Sequence, residues 1–113
     1  MSLRFGLIGY GLFGRHHARA IAQAPGATLA AIACRSRETA EAARKDYPDA
    51  AVELDYRALL ARRNIDAVDI VVPNDLHEEI GVAALEADKD VLEEALREGR
   101  PKGTALFIRP RHP

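Results

Sequence analysis

A glycine-rich turn directly behind an apolar run constrains the fold of this chain more than any other feature. Leu3–Ile8 is apolar except for Arg4, the pattern of a strand buried on both faces. Gly9, Gly11 and Gly14 follow at the spacing G-x-G-x-x-G, and residues with helical spacing come next. This order predicts a strand, a tight turn and a helix whose unpaired N–H groups can hold a phosphate.

Each glycine of this turn has its own role in a dinucleotide-binding fold. Gly9 permits the tight turn, Gly11 lets a pyrophosphate approach the backbone, and Gly14 lets the helix pack closely on the strand. The candidate cofactor-binding residues of the turn are Gly9, Gly11, Leu12, Phe13 and Gly14. The alternatives are a glycine-rich turn that binds nothing and one that binds S-adenosylmethionine.

Strand and helix patterns alternate along the chain behind the turn. Strands are predicted at residues 3–8, 28–33, 51–53, 67–72 and 89–92. Helices are predicted at residues 13–24, 37–46, 56–63 and 75–87, the last opened by a capping box of Asp75 and Glu78. Such alternation predicts an α/β fold, a Rossmann-type doubly wound parallel sheet in three αβα layers. The expected strand order is 3-2-1-4-5, with a sixth strand left open.

Length and composition restrict the class of protein further. The 113 residues suffice for one domain, and 29% charged residues with a net charge of −1 are typical of a soluble globular protein. Cys34 is the single cysteine, so an internal disulfide is excluded, and its spacing from the histidines is not that of metal ligands. We therefore expect a cytoplasmic protein that binds no metal, nucleic acid or membrane. Whether it forms a homo-oligomer is left open.

Arginines, and no acidic residue, follow the second predicted strand. Folds that prefer NAD carry Asp or Glu about 20 residues past the glycines, where it binds the ribose 2′-hydroxyl. Here Cys34 is followed by Arg35, Ser36 and Arg37. Arginine can pair with a 2′-phosphate through forked, charge-assisted hydrogen bonds. These three residues are therefore candidates for cofactor binding, with NADP favoured over NAD. The alternative is that they are only exposed residues at a helix start.

Three stretches occur in an order that is more specific than any one of them. They are residues 7–17 with the glycine turn, residues 72–77 (Val-Pro-Asn-Asp-Leu-His) and residues 89–92 (Lys-Asp-Val-Leu). Together they resemble the amino-terminal domain of the glucose–fructose oxidoreductase / inositol dehydrogenase (Gfo/Idh/MocA) family. The resemblance covers residues 3–94. It implies NAD(P)-dependent hydride transfer to or from a sugar, cyclitol or related alcohol.

The resemblance also extends the candidate cofactor site. Pro73 and Asn74 match the family's cofactor-contacting turn, although they can equally serve as a strand terminator. His77 follows in the first turn of the next helix, at the mouth where a nicotinamide would lie. We expect it to contact the cofactor, or else to be a histidine that only belongs to the helix start.

The chain departs from the family pattern at its catalytic lysine. Family members follow the Val-Leu strand with Glu-Lys-Pro, whose lysine is assigned a role in proton transfer. If Glu94 matches that glutamate, Ala95 stands where the lysine should be, and alanine has no titratable group. We also expect the family's C-terminal substrate domain to be missing from this chain. We therefore expect a dinucleotide-binding domain at residues 1–94, name no catalytic residue, and leave enzyme activity uncertain.

The atypical tail, residues 95–113, has two interpretations. Residues 92–98 have the pattern of a short helix with Gly99 behind it, and residues 104–108 that of a strand, as though an internal segment had been deleted. Alternatively the ending is frameshifted, because residues 1–94 are acidic overall and the tail is basic. Besides an oxidoreductase domain, a stand-alone nucleotide-sensing or protein-interaction module and an inactive gene fragment remain as hypotheses.

Overall fold

A mostly parallel sheet with helices on both faces forms the framework of the computed structural model, which describes residues 2–93, 96–97, 100–101 and 106–108. The first elements are β1 (Leu3–Ile8), α1 (Leu12–Gln23), β2 (Ala27–Ala33), α2 (Arg37–Asp46), β3 (Ala51–Glu53) and α3 (Tyr56–Leu60). Then follow β4 (Ala67–Ile70), α4 (Asn74–Glu86), β5 (Asp90–Glu93), β6 (Leu96–Arg97), β7 (Arg100–Pro101) and β8 (Leu106–Ile108).

The strand order of the main sheet is β3-β2-β1-β4-β5-β8. The five strands from β3 to β5 pair in parallel, whereas β8 runs antiparallel to β5. The predicted order 3-2-1-4-5 is therefore confirmed. The order reverses between β1 and β4, and in such sheets ligands bind at the carboxyl ends of the strands at this point.

Two apolar clusters, one on each face of the sheet, account for the three layers. Leu7 of β1 belongs to the cluster with α1 and α2, which includes Ala18 and Ala40. Its neighbour Ile8 belongs to the cluster with α3 and α4, which includes Leu59 and Ile80. Successive residues of a strand point to opposite faces, so a strand covered on both faces is apolar throughout. The predicted αβα architecture is confirmed.

Helix α2 begins and largely ends as its sequence dictates. The Ser36 side chain accepts a hydrogen bond from the Thr39 N–H at 3.1 Å, which caps the first turn. Glu38 lies in the first turn, and Arg44 and Lys45 lie in the last, so these charges complement the helix dipole.

The capping box predicted for α4 is wrong. The helix begins at Asn74 with Pro73 as its N-cap residue, so Asp75 lies inside the first turn and no side chain caps the helix. Proline fixes φ near −65° and needs no hydrogen-bond acceptor for its own nitrogen, which favours the start one residue earlier. Asp75 still interacts favourably with the positive end of the helix dipole.

The helix predicted at residues 92–98 is also wrong where the structure describes it. Leu92 and Glu93 end β5, and Leu96–Arg97 pairs antiparallel with Arg100–Pro101. A helix this short forms few internal hydrogen bonds and cannot compete with the ladder that continues along β5. The strand predicted at residues 104–108 is confirmed over Leu106–Ile108, which pairs with β5. Gly99, residues 104–105 and residues 109–113 lie outside the described residues.

Helices in the described part of the chain are all too short or too polar to cross a membrane. The longest, α4, has 13 residues, whereas a transmembrane helix needs about 20 apolar ones.

A buried lysine ties the start of β5 to the loop before β4. Lys89 is only 8% exposed, and its Nζ donates to the carbonyl oxygens of Arg62 at 2.7 Å and Ile65 at 2.8 Å. Burial lowers the pKa of Lys89, and the nearby Asp66 carboxylate acts in the opposite direction. The ammonium group thus satisfies two carbonyls that α3 and its following loop leave without helical partners.

Substituting Lys89→Met should destabilise the fold by about 1–3 kcal/mol, because two carbonyl oxygens lose their donor in a buried place. Urea denaturation followed by circular dichroism measures the free energy of unfolding. Lys45→Met is the matched control, since Lys45 is exposed, and should change this energy by less than about 0.5 kcal/mol. Equal effects of the two substitutions would contradict the structural role of Lys89.

Candidate dinucleotide site

The carboxyl edge of the sheet brings together the segments that the sequence singled out. The glycine turn follows β1, Arg35 follows β2, and Pro73 follows β4. Between them lies a groove of about 330 Å³. Its lining includes Gly11, Leu12, Phe13, Arg35, Ser36 and Pro73. Residues from three separate parts of the chain therefore face one continuous space.

Two of the glycines are required by the protein itself. Gly9 has a φ of +107°, and a Cβ there would lie 2.0 Å from the Val71 carbonyl oxygen. A Cβ on Gly14 would lie 2.1 Å from the carbonyl oxygen of Gly9. Backbone atoms cannot move aside as the end of a flexible side chain can. Gly9 and Gly14 thus allow β1, α1 and the end of β4 to approach one another closely.

Gly11 has no such structural reason to be a glycine. It is the N-cap of α1 with a φ of −83°, which other residues adopt, and a Cβ there meets no non-neighbouring atom within 4 Å. No side chain caps this helix, and none of its first-turn residues is acidic. The first N–H groups of an α-helix have no intrahelical partner. The space over Gly11 therefore lies open in front of unpaired, positively polarised donors.

Exposed basic side chains flank the start of α2. Arg35 and Arg37 are exposed, and no carboxylate stands between Cys34 and Arg37. Ser36 lines the groove while it caps α2, and its Oγ is 2.9 Å from Thr39 Oγ1. Thr39 also lines the groove and was missed by the sequence analysis. Its position one turn into α2, behind a serine cap, was the available signal.

A second cavity of about 350 Å³ lies on the other side of the ends of β1 and β2. Its walls include the apolar side chains of Ile8, Leu54, Val72, Leu76 and Ile80. Tyr56 stands at this cavity, with the Arg57 guanidinium 5.2 Å from its ring centroid. Sequence analysis missed this cavity. The turn behind β3 was the available signal: parallel strands present their carboxyl ends at one edge of the sheet, so this turn is expected to lie beside the turns behind β1 and β2.

The residues behind β4 occupy different environments. Pro73 is exposed and lines the groove, and Asn74 starts α4. His77 is 9% exposed and is not among the described residues that line either cavity. Its contact with a cofactor therefore stays a prediction.

A part-buried contact between a histidine and an aspartate holds α1 to the middle of the sheet. His17 Nδ1 lies 2.6 Å from Asp69 Oδ2, and Asp69, in β4, is 1% exposed. The contact between His17 and Asp69 fixes α1 against β4, while Gly14 sets the distance between the start of α1 and the end of β1.

Neither a reactive thiol nor a metal centre is evident in the part of the chain that the structure describes. Cys34 is buried, and burial raises the pKa of its thiol, which keeps the sulfur protonated and weakly nucleophilic. Among the same residues, no group of three His, Cys, Asp or Glu side chains could hold a metal ion.

Comparison with known proteins agrees with a dinucleotide-binding site at this edge of the sheet. The family model described as "Oxidoreductase family, NAD-binding Rossmann fold" (GFO_IDH_MocA) matches residues 3–95. Inositol 2-dehydrogenase from Paracoccus denitrificans is 37% identical over 91 residues, 79% of this chain and 27% of that protein. dTDP-3,4-didehydro-2,6-dideoxy-alpha-D-glucose 3-reductase from Streptomyces violaceoruber is 43% identical over 89 residues, 79% of this chain and 26% of that protein.

Solved structures share the fold as well. The crystal structure of myo-inositol dehydrogenase from Lactobacillus casei in complex with NAD(H) and myo-inositol superposes with a TM-score of 0.79 and 35% identity. The match covers 83% of this chain and 28% of that one. The chain thus spans about a quarter of the length of the curated relatives it matches.

Proposed function

Because the chain belongs to the Gfo/Idh/MocA oxidoreductase family and is an NAD(P)-binding Rossmann domain of it, we propose that it serves hydride transfer to or from a sugar, cyclitol or related alcohol. The nicotinamide of the bound cofactor supplies or accepts the hydride. One relative is named for the oxidation of inositol, a cyclitol, and another for the reduction of a dTDP-linked sugar. They support this substrate class.

The open space at Gly11 is the observation that carries the cofactor assignment. The pyrophosphate binds there, on the first N–H groups of α1, at Gly11, Leu12, Phe13 and Gly14. Gly11 stays a glycine for the ligand, since neither its φ nor its surroundings require one. Gly9, whose missing side chain lets β4 approach, only shapes the turn. This division of roles supports a ligand that lies against the backbone.

The adenosine half of the cofactor extends over the ends of β1 and β2. The apolar walls of the second cavity, with Leu54 and Val72 among them, suit the faces of a flat base. Arg35 lines both this cavity and the groove, so it can reach a ribose that lies between them. Arg35, Ser36 and Arg37 bind the 2′-phosphate, which no carboxylate in this segment repels. The proposed cofactor is therefore NADP(H).

The nicotinamide half extends the other way, past β4. Pro73 and Asn74 form the turn at this end, and His77 in the first turn of α4 contacts the nicotinamide side of the cofactor. The exposed side chain of Leu12 lies on the same side of the glycine turn and lines the groove together with Pro73.

Cofactor binding without turnover is the second candidate function for the 113-residue chain. The specific observation in its favour is Ala95, which stands where the family's proton-transferring lysine should be. Alanine can neither accept nor donate a proton at a substrate hydroxyl. A nucleotide-sensing or protein-interaction module would need only the binding half of the reaction machinery.

Gly11→Val should abolish dinucleotide binding while the domain stays folded, because the added side chain enters the space of the pyrophosphate and its Cβ meets no non-neighbouring atom within 4 Å. Isothermal titration calorimetry with NADPH and NADH measures binding, and circular dichroism reports the fold. Ala20→Val, which enlarges an exposed residue of the same helix, is the control and should leave affinity unchanged. Full binding by Gly11→Val would place the ligand elsewhere.

The chain should bind NADPH about tenfold more tightly than NADH, since a hydrogen bond to a charged group contributes about 1.5–3 kcal/mol. Replacing both Arg35 and Arg37 by alanine should remove this preference and leave NADH affinity nearly unchanged. Arg44→Ala, at the far end of α2, is the matched control. Equal affinities of the unmodified chain for the two cofactors would refute the NADP assignment.

The purified 113-residue chain should oxidise no sugar or cyclitol in the presence of NAD or NADP. General acid–base catalysis contributes roughly 10²–10⁴-fold to a rate, and Ala95 cannot supply it. Absorbance of the reduced cofactor follows the reaction over a panel of sugars and cyclitols. Ala95→Lys should not restore turnover, because substrate positioning is also needed. A rate above the blank in the unmodified chain would contradict the binding-only function.

A further inference from the structure

Tyr10, the side chain between the first two glycines of the turn, lines the groove but is almost entirely buried in the protein. It is 4% exposed and belongs to the apolar cluster of α1, α2 and the sheet. Neither the motif nor the proposed cofactor contacts require a tyrosine here. A phenylalanine would fill the same apolar space without a hydroxyl that needs a partner.

Contacts with both flanking helices converge on this tyrosine. Its hydroxyl donates to Asp46 Oδ2 at 2.6 Å, and its ring packs edge-on against Tyr47 with centroids 6.4 Å apart. The Arg15 guanidinium of α1 lies 5.3 Å from the ring centroid. The glycine turn is thereby joined to the start of α1 and to the C-terminal end of α2.

Asp46 occupies a position where a carboxylate is unfavourable. It is the last residue of α2, next to the negative end of the helix dipole, whereas Arg44 and Lys45 before it have the favourable sign. It is exposed, so burial does not oblige it to find a donor. Burial and the Asp46 carboxylate both raise the pKa of Tyr10, so the phenol stays protonated and able to donate.

Helix α2 connects this hydrogen bond with the other end of the proposed site. It begins beside Arg35 and Arg37, the basic residues assigned to the 2′-phosphate, and its last residue, Asp46, accepts the hydrogen bond from Tyr10 of the turn assigned to the pyrophosphate. The affinity for a ligand that contacts both subsites depends on the distance between them. The affinity for a ligand that contacts only the start of α2 does not depend on this distance.

We propose that Tyr10 is a positioning residue, which through its hydrogen bond to Asp46 sets the spacing between the pyrophosphate turn and the 2′-phosphate subsite. This inference rests on the proposed function. According to this inference, the Tyr10–Asp46 hydrogen bond raises the affinity for a whole dinucleotide but does not change the affinity for its adenosine fragment.

The test compares two ligands on the full chain, NADPH, which spans both subsites, and adenosine 2′-monophosphate, which occupies only one. Tyr10→Phe keeps the ring and removes the hydroxyl. It should weaken NADPH binding about fivefold, the scale of one lost hydrogen bond, and change binding of adenosine 2′-monophosphate less than twofold. Calorimetry serves for NADPH, and an NMR titration serves for the weaker fragment.

Further variants separate positioning from general stability. Asp46→Ala should reproduce the loss of NADPH affinity, and the double variant should lose no more, because both changes break one interaction. Asp46→Asn keeps an acceptor oxygen and should retain most of the affinity. Tyr47→Phe keeps the ring contact and is the matched control, with affinity unchanged. If Tyr10→Phe fails to fold by circular dichroism, the substitutions at the exposed Asp46 decide.

The outcomes distinguish this inference from the proposed function. If the unmodified chain binds no dinucleotide, the proposed function is wrong and the role of Tyr10 falls with it. If it binds NADPH and Tyr10→Phe binds equally well, only the positioning role is wrong. Equal losses for both ligands would make Tyr10 a purely structural residue. Absence of fragment binding to the unmodified chain would remove the second subsite, and the inference with it.

Discussion

The close approach of α1 to β1 is the contact on which the rest of the site depends. Backbone atoms meet where Gly14 passes the carbonyl oxygen of Gly9, and Gly9 in turn lies against the carbonyl oxygen of Val71. With side chains at these places, α1 could not sit over the switch point with its N–H groups facing the crevice. The His17–Asp69 pair then holds the same helix to β4, deeper in the fold. The site is thus assembled from backbone contacts that only two glycines permit.

Local patterns in the sequence were enough to predict the strand order of the sheet and the position of the glycine turn at its edge. Apolar runs mark β1 and β2, and alternation with helices dictates parallel pairing, so the order of the first five strands followed. The errors arose where local patterns compete with pairing or with proline: residues 92–93 joined the ladder of β5, and Pro73 moved the start of α4. The predicted cofactor contacts of Arg35 and His77 stay predictions.

Interactions between distant residues could not be predicted in this way. Tyr10 and Asp46 are 36 positions apart, and His17 and Asp69 are 52 apart. Nothing in the spacing of either pair indicates contact, since the distance between them is decided by how helices pack on the sheet. The same holds for the cavity beside Tyr56, whose walls come from β1, β2, α3 and α4 and from the turns behind β3 and β4. Sequence patterns locate a site at an edge, whereas packing decides its walls.

The short edge strand β3 has a consequence for how copies of this domain behave together. It has only three residues, and Arg62 holds the carboxylate of Glu53 at 2.8 Å. Exposed strand edges recruit further strands when they are long, flat and apolar. A brief edge that ends in a fixed pair of opposite charges offers little for a neighbouring molecule to extend. At this border the sheet is protected against edge-to-edge aggregation in concentrated solution.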